Sequence, residues 1–184
     1  MVSFSEGAVP FTMYLNYDKP FIGLFLLVFL IRPWTQGKWN PKSFFSYSLI
    51  SLAALLIIIV PLALLSGYLS FQFKVPTQTL IWGINNLLVV CVAEEVFFRG
   101  FLQNGFCKFF KRYSRLGDII GLCLASLLFG LAHYKGGNSY IILSAIAGFF
   151  YGLAYLKTKR IEASILVHFL LNTCLLYTSP SPRD

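Results

Sequence analysis

The chain has 184 residues, of which 57% are hydrophobic and only 12% charged, and its net charge is +8. Soluble domains carry about a quarter charged residues, so half that share, with a mean hydropathy of +0.72, excludes an ordinary water-soluble globule. The basic residues lie in short stretches between apolar runs rather than on one polar face, which excludes a nucleic-acid-binding surface.

Taken in chain order, the apolar runs predict six spans. The first, Phe11–Ile31, is interrupted by Asp18 and Lys19, and no basic stretch precedes it as in a signal peptide. The second, Phe44–Leu65, has 22 residues and no charge, enough to cross a hydrocarbon core of ~30 Å. Thr79–Phe106, Asp118–His133, Tyr140–Leu156 and Ala163–Leu176 follow. The runs are continuous and do not alternate, so helices are expected rather than barrel strands. The expected fold is an all-α polytopic transmembrane bundle, with the lipid bilayer as its first partner.

The loops alternate in charge. The first holds Arg32, Lys38 and Lys42, the third Lys108, Lys111, Arg112 and Arg115, and the fifth Lys157, Lys159 and Arg160. The second and fourth hold one lysine each, Lys74 and Lys135. The positive-inside rule then places the odd-numbered loops in the cytoplasm and the N-terminus outside. Cys91, Cys107, Cys123 and Cys174 lack metal-site spacing and read as buried thiols.

The segment "CLLYTSPSPRD", Cys174 to Asp184, breaks the style of the chain. It resembles the conceptual translation of a transposon-end sequencing adapter and is set aside as a scar. On that reading the native sequence stops after Thr173, the sixth span is cut short, and the final turn around His168 and Asn172 frays. Residues 1–78 are then variable N-terminal spans, 79–173 the functional membrane domain and 174–184 the tail.

Apart from the first span, the ionisable groups inside the apolar runs are Glu94, Glu95, Arg99 and His168, with His133 at a span's end. A charge at mid-membrane costs roughly 2.5–3.5 kcal/mol on insertion scales, so such groups persist where they face one another or a wet cavity. Glu95 and Arg99 are four residues apart with the acid first, the better order for a helical ion pair. Glu94 points about 100° away around the helix, so one carboxylate can be held by arginine while the other serves proton chemistry. Phe129 stands one turn before His133, and Asn172 one turn after His168. The plain alternative is an ion pair and polar glue that fix helix packing. Two histidines on separate spans beside a second glutamate favour a site.

The segments "EEVFFR", "FGLAH" and "HFLLN" resemble the ordered motifs EExxxR, FxxxH and HxxxN of the CPBP intramembrane protease family. That family includes the type II CAAX prenyl endopeptidases, bacteriocin-processing proteins and the Abi or lysostaphin-resistance-like proteins. The resemblance covers about residues 85–172 and extends to "AGFFYGLAYLKTKRIEASILVHFLLN". It implies an intramembrane endopeptidase in which Glu94, helped by His133, activates a water. His168 and Asn172 polarise the scissile carbonyl and stabilise its oxyanion, and Glu95 with Arg99 orients the site. A carboxylate and an imidazole around one water, with donors opposite, is coherent acid–base chemistry.

Two mechanisms stay open at this stage. Glu94, His133 and His168 are candidate ligands of a divalent metal such as zinc with one open position, which is the metalloprotease reading. No HExxH pair shares one helical turn, which leans towards a water held by glutamate alone. The expected substrate is a peptide or membrane protein, and the expected place is a bacterial plasma membrane, multi-pass. Rival functions are a non-catalytic bacteriocin immunity or scaffold protein, and a proton-coupled transporter, for which an internal repeat is expected and none is visible. Counting along the expected spans puts Glu94 and His168 in the inner half but His133 near the outer end, a mismatch that only helix placement can resolve.

Overall fold

A computed structural model describes residues 39–69 and 79–178, together with Phe21, Gly23, Phe25 and Val28. The span expected at Phe11–Ile31 therefore lies largely outside the described residues. The rest is all-α, with no strand among the described residues. The five elements are α1 (Pro41–Leu65), α2 (Thr79–Phe110), α3 (Gly117–Ala132), α4 (Asn138–Thr158) and α5 (Ile161–Thr178). Helices α1, α2 and α4 are long and apolar enough to cross a membrane, and α3 and α5 are shorter apolar helices. The five runs read from the sequence correspond to these helices, with ends moved by a few residues.

Helix α1 starts where its sequence says it should. The Asn40 side chain accepts from Ser43 N at 3.1 Å, and Pro41 occupies the first turn, where its missing N–H costs nothing. Its buried residues Phe44, Ser48, Ser51, Leu55, Ile59 and Ala63 recur every three or four positions, so one stripe faces the bundle. The other faces are equally apolar and point outward, with Ile57 73% and Leu65 86% exposed. Large outward aliphatics across several helices are what a lipid-facing surface requires. The bundle is a membrane fold.

Lipid tails are as apolar as leucine, so burial alone does not drive helices together in a bilayer, and close packing at small residues does more. Helices α2, α3 and α4 run antiparallel in succession and pack closely. A Cβ on Gly121 would stand 2.6 Å from the Cys107 backbone nitrogen, and one on Gly130 would stand 2.6 Å from the Ile141 carbonyl oxygen. The α4–α5 turn is made by Lys159 in the left-handed region, φ 56°, whose N–H bonds the Tyr155 carbonyl at 2.7 Å. Helix α1 closes the bundle against α4 and α5. Its Leu55, Ile59 and Ala63 join Phe98, Phe129, Tyr151, Ala154, Val167 and Leu171 in one core.

Helix α2 is irregular where the sequence is most charged. Residues Asn86–Cys91 and Val96–Gln103 form widened i→i+5 turns, and the four residues Val92–Glu95 between them are α-helical. Such turns are rare and concentrate at functional sites.

Candidate active site

Antiparallel packing resolves the mismatch of depth. Glu94 lies 16 residues before the end of α2 at Phe110, and His133 lies 16 residues after the start of α3 at Gly117. At ~1.5 Å per residue both stand about 24 Å from the turn that joins the helices. The expected third span was drawn from Thr79 to Phe106, whereas α2 has 32 residues and a length of about 48 Å. That is longer than a hydrocarbon core of ~30 Å.

His133 forms the C-cap of α3. Its Nδ1 lies 2.7 Å from the carbonyl oxygen of Phe129, one turn back. A carbonyl only accepts, so Nδ1 carries the proton, and in the neutral ring Nε2 presents its lone pair. That Nε2 faces Glu94 Oε2 at 3.9 Å. The separation is too long for a direct hydrogen bond and suits one small oxygen bonded to both. Both side chains keep some exposure, 14% for His133 and 15% for Glu94, while the facing atom Glu94 Oε2 is itself buried.

The neighbouring carboxylate is arranged otherwise. Glu95 is fully buried, and its two oxygens are divided between two partners. Arg99 Nε donates to Oε2 at 2.9 Å, and His168 Nδ1 bonds Oε1 at 2.9 Å. The Arg99 side chain has no exposure either. Its guanidinium carbon sits 5.1 Å from the centre of the Phe129 ring, close enough for a cation–π contact. Gly148 makes room for this, since a Cβ there would come within 3.0 Å of the Phe129 ring and 3.3 Å of Arg99 Nη2. Two adjacent glutamates thus serve two acid–imidazole pairs, one partly open and one sealed.

Phe129 joins them. Its carbonyl orients His133, its ring face receives Arg99, and its ring stands edge-on to His168 with centroids 5.9 Å apart. His168 also stacks on Tyr151 at 4.5 Å and 16°. With Nδ1 committed to Glu95, only Nε2 of His168 remains for other chemistry. Asn172 lies inside α5, which continues to Thr178 with Leu176 fully buried. Asn172 Nδ2 donates to Asn86 Oδ1 at 3.3 Å, with Cys91 Sγ at 3.9 Å.

Spacing along α2 correctly pairs Glu95 with Arg99. It does not show that His168 turns its Nδ1 to Glu95 rather than to Glu94. Among the described residues no three His, Cys, Asp or Glu side chains form a group that could hold a metal ion. Sequence reasoning also passed over Asn86, Gln103 and Tyr151. Gln103 is fully buried, one turn beyond Arg99, and donates to the Gly152 carbonyl at 3.0 Å. Counting buried amides as well as charges in the apolar runs finds Asn86 and Gln103, whereas nothing distinguishes Tyr151 among ten tyrosines.

A family model described as Type II CAAX prenyl endopeptidase Rce1-like matches residues 76–174, more than half of the chain. No curated protein matches the chain, and no solved structure does.

Proposed function

The chain belongs to the Rce1-like family of type II CAAX prenyl endopeptidases, and from that premise we propose that it hydrolyses a peptide bond within the membrane with a water activated by Glu94 and His133. The observation that carries this reading is the facing of Glu94 Oε2 and His133 Nε2 at 3.9 Å, on side chains that both keep some exposure, beside a second glutamate wholly occupied by Arg99 and His168. Of the two carboxylates, Glu94 is the one on a side chain that keeps some exposure.

The chemistry follows from those positions. A water between the two side chains gives one hydrogen bond to the Glu94 carboxylate and one to the His133 lone pair. As its oxygen attacks the scissile carbonyl carbon, Glu94 takes the proton, and His133 holds the remaining O–H in line. The carbonyl oxygen becomes an oxyanion, for which the donors are Asn172 Nδ2 and, when its ring is doubly protonated beside the Glu95 carboxylate, His168 Nε2. Glu94 then returns its proton to the departing amine, and the C–N bond breaks. Glu95 and Arg99 take no part in the transfer and fix His168 through Nδ1.

The substrate is a membrane-embedded or membrane-apposed peptide. A prenylated C-terminal CaaX peptide is the class that the family description names. The test needs no prior choice of substrate. Protein termini are compared by mass spectrometry in membranes of cells making the wild type or Glu94→Gln at equal levels of folded protein. New termini present only with the wild type are expected. Identical profiles would leave a scaffold or immunity protein.

A further inference from the structure

We propose that Asn86 is a positioning residue for catalysis, which sets the orientation of the Asn172 amide through a short relay that begins at Cys91. The inference rests on the reading of Asn172 as an oxyanion donor. Asn86 is 2% exposed, and Cys91 is fully buried. Cys91 Sγ donates to Asn86 Oδ1 at 3.3 Å, and Asn172 Nδ2 donates to that same oxygen at 3.3 Å across 86 residues of chain.

The two ends of a carboxamide have nearly the same shape, and partners alone decide which end faces where. A thiol hydrogen aimed at Asn86 fixes the oxygen end of that amide towards Cys91. The same oxygen then demands a donor from α5, because a reversed Asn172 would bring two acceptors together. Asn172 therefore keeps its NH₂ end on the α2 side. One of its two hydrogens binds Asn86, and the other, whose contact is the long 3.9 Å approach to the weak acceptor Cys91 Sγ, turns to the oxyanion when substrate is bound.

The widened turn makes the relay possible. Residues five apart in an α-helix point about 140° apart, whereas an i→i+5 turn brings them onto one side. Asn86 and Cys91 are five apart and bound the first widened segment of α2. The irregularity thereby holds two polar side chains beneath Asn172 in an otherwise apolar stretch.

The experiment is a double-mutant cycle with an amide readout. Turnover of an internally quenched farnesylated CaaX peptide is measured in nanodiscs for the wild type, Asn86→Leu, Asn172→Ala and the double variant. Asn86→Leu is expected to lower kcat about 10–100-fold with little change in KM, and to have less than about a twofold effect in the Asn172→Ala background. Selective ¹⁵N-asparagine labelling follows the Asn172 side-chain NH₂ pair, assigned by its loss in Asn172→Ala. In the wild type the pair is expected to be well separated and slow to exchange, and in Asn86→Leu averaged. Should Asn86→Leu not accumulate as folded protein, Asn86→Ser enters the same cycle.

Additive effects, or an unchanged Asn172 pair in the Asn86 variant, would overturn the proposal. Full turnover by Asn172→Ala removes the oxyanion role and the inference with it, while the amide spectrum reports separately whether the Asn86 bond exists. If no variant turns over this peptide, an averaged pair in Asn86→Leu supports the relay, and an unchanged pair sinks it.

Discussion

The carbonyl oxygen of Phe129 lies 2.7 Å from Nδ1 of His133, so one residue of α3 dictates the tautomer of the next polar residue along it. The ring of Phe129 meanwhile supports Arg99 and His168, which separates the two jobs by atom.

That separation predicts the outcome of Phe129→Leu. The carbonyl stays, so the His133 tautomer stays. The ring is lost from beside Arg99 and His168, and stability is expected to fall by about 1–3 kcal/mol. Unfolding in mixed micelles measures the loss, and kcat per folded molecule should change less than tenfold. A hundredfold loss of kcat at unchanged stability would show that the ring itself acts in the reaction.

The two glutamates should respond oppositely to the same substitution. Glu94→Gln is nearly isosteric at a partly exposed position, so the bundle should fold and turnover should disappear. Glu95→Gln leaves a buried arginine without its carboxylate, which costs roughly 3–5 kcal/mol, and the yield of folded protein should drop. Measuring folded yield and turnover for both variants decides the matter. Exchanged outcomes would mean that Glu95 is the base.

Much of the fold was legible because hydropathy and helix length are properties of single segments. The continuous apolar stretch from Phe44 to Leu65 announces α1 without reference to any partner. The Glu95–Arg99 pair was legible for the same reason, since four residues along one helix define a direction. Which helix stands in that direction is not written in the spacing. The partners of His168 and Asn172, which are Glu95 and Asn86, were therefore not legible. The level of His133 with Glu94 could be read only once α2 and α3 were paired antiparallel about their shared turn.

Chelation offers a third test. Glu94 and His133 face each other, and His168 Nδ1 is held by Glu95. Turnover is expected to persist after extended dialysis against EDTA. Loss of activity restored specifically by zinc would point instead to a metal held by Glu94, His133 and the Nε2 of His168, with its Nδ1 still on Glu95.

Small residues at the α3–α4 contact should be intolerant of growth. A Cβ at Gly130 would press on both the Ile141 carbonyl and Ala145, so Gly130→Val should destabilise the protein by at least about 1–3 kcal/mol. Gly83 meets nothing within 4 Å, and Gly83→Ala should be neutral or slightly stabilising. Equal unfolding curves for Gly130→Val and the wild type would contradict the packing described.

Orientation in the membrane follows from the loop charges. A cysteine replacing Lys135, in the turn after α3, should react with an impermeant maleimide added outside intact cells. One replacing Lys111, after α2, should react only when the cells are opened. The reverse pattern would invert the bundle.

The widened turn Val96–Gln103 also bears on how the sequence can change length. Such a turn carries an extra residue without altering the phase of the helix on either side. Removing one residue between Val96 and Gln103 can be absorbed by reversion to ordinary α-helix, leaving Glu94 and Cys107 facing as before, at the expense of Arg99 and Gln103. Helix α3 has no such slack. A single deletion between Ile119 and Leu128 rotates everything beyond it by about 100° and turns His133 away from Glu94. Insertions and deletions should therefore be distributed unevenly along this chain, tolerated for assembly in the middle of α2 and excluded from α3.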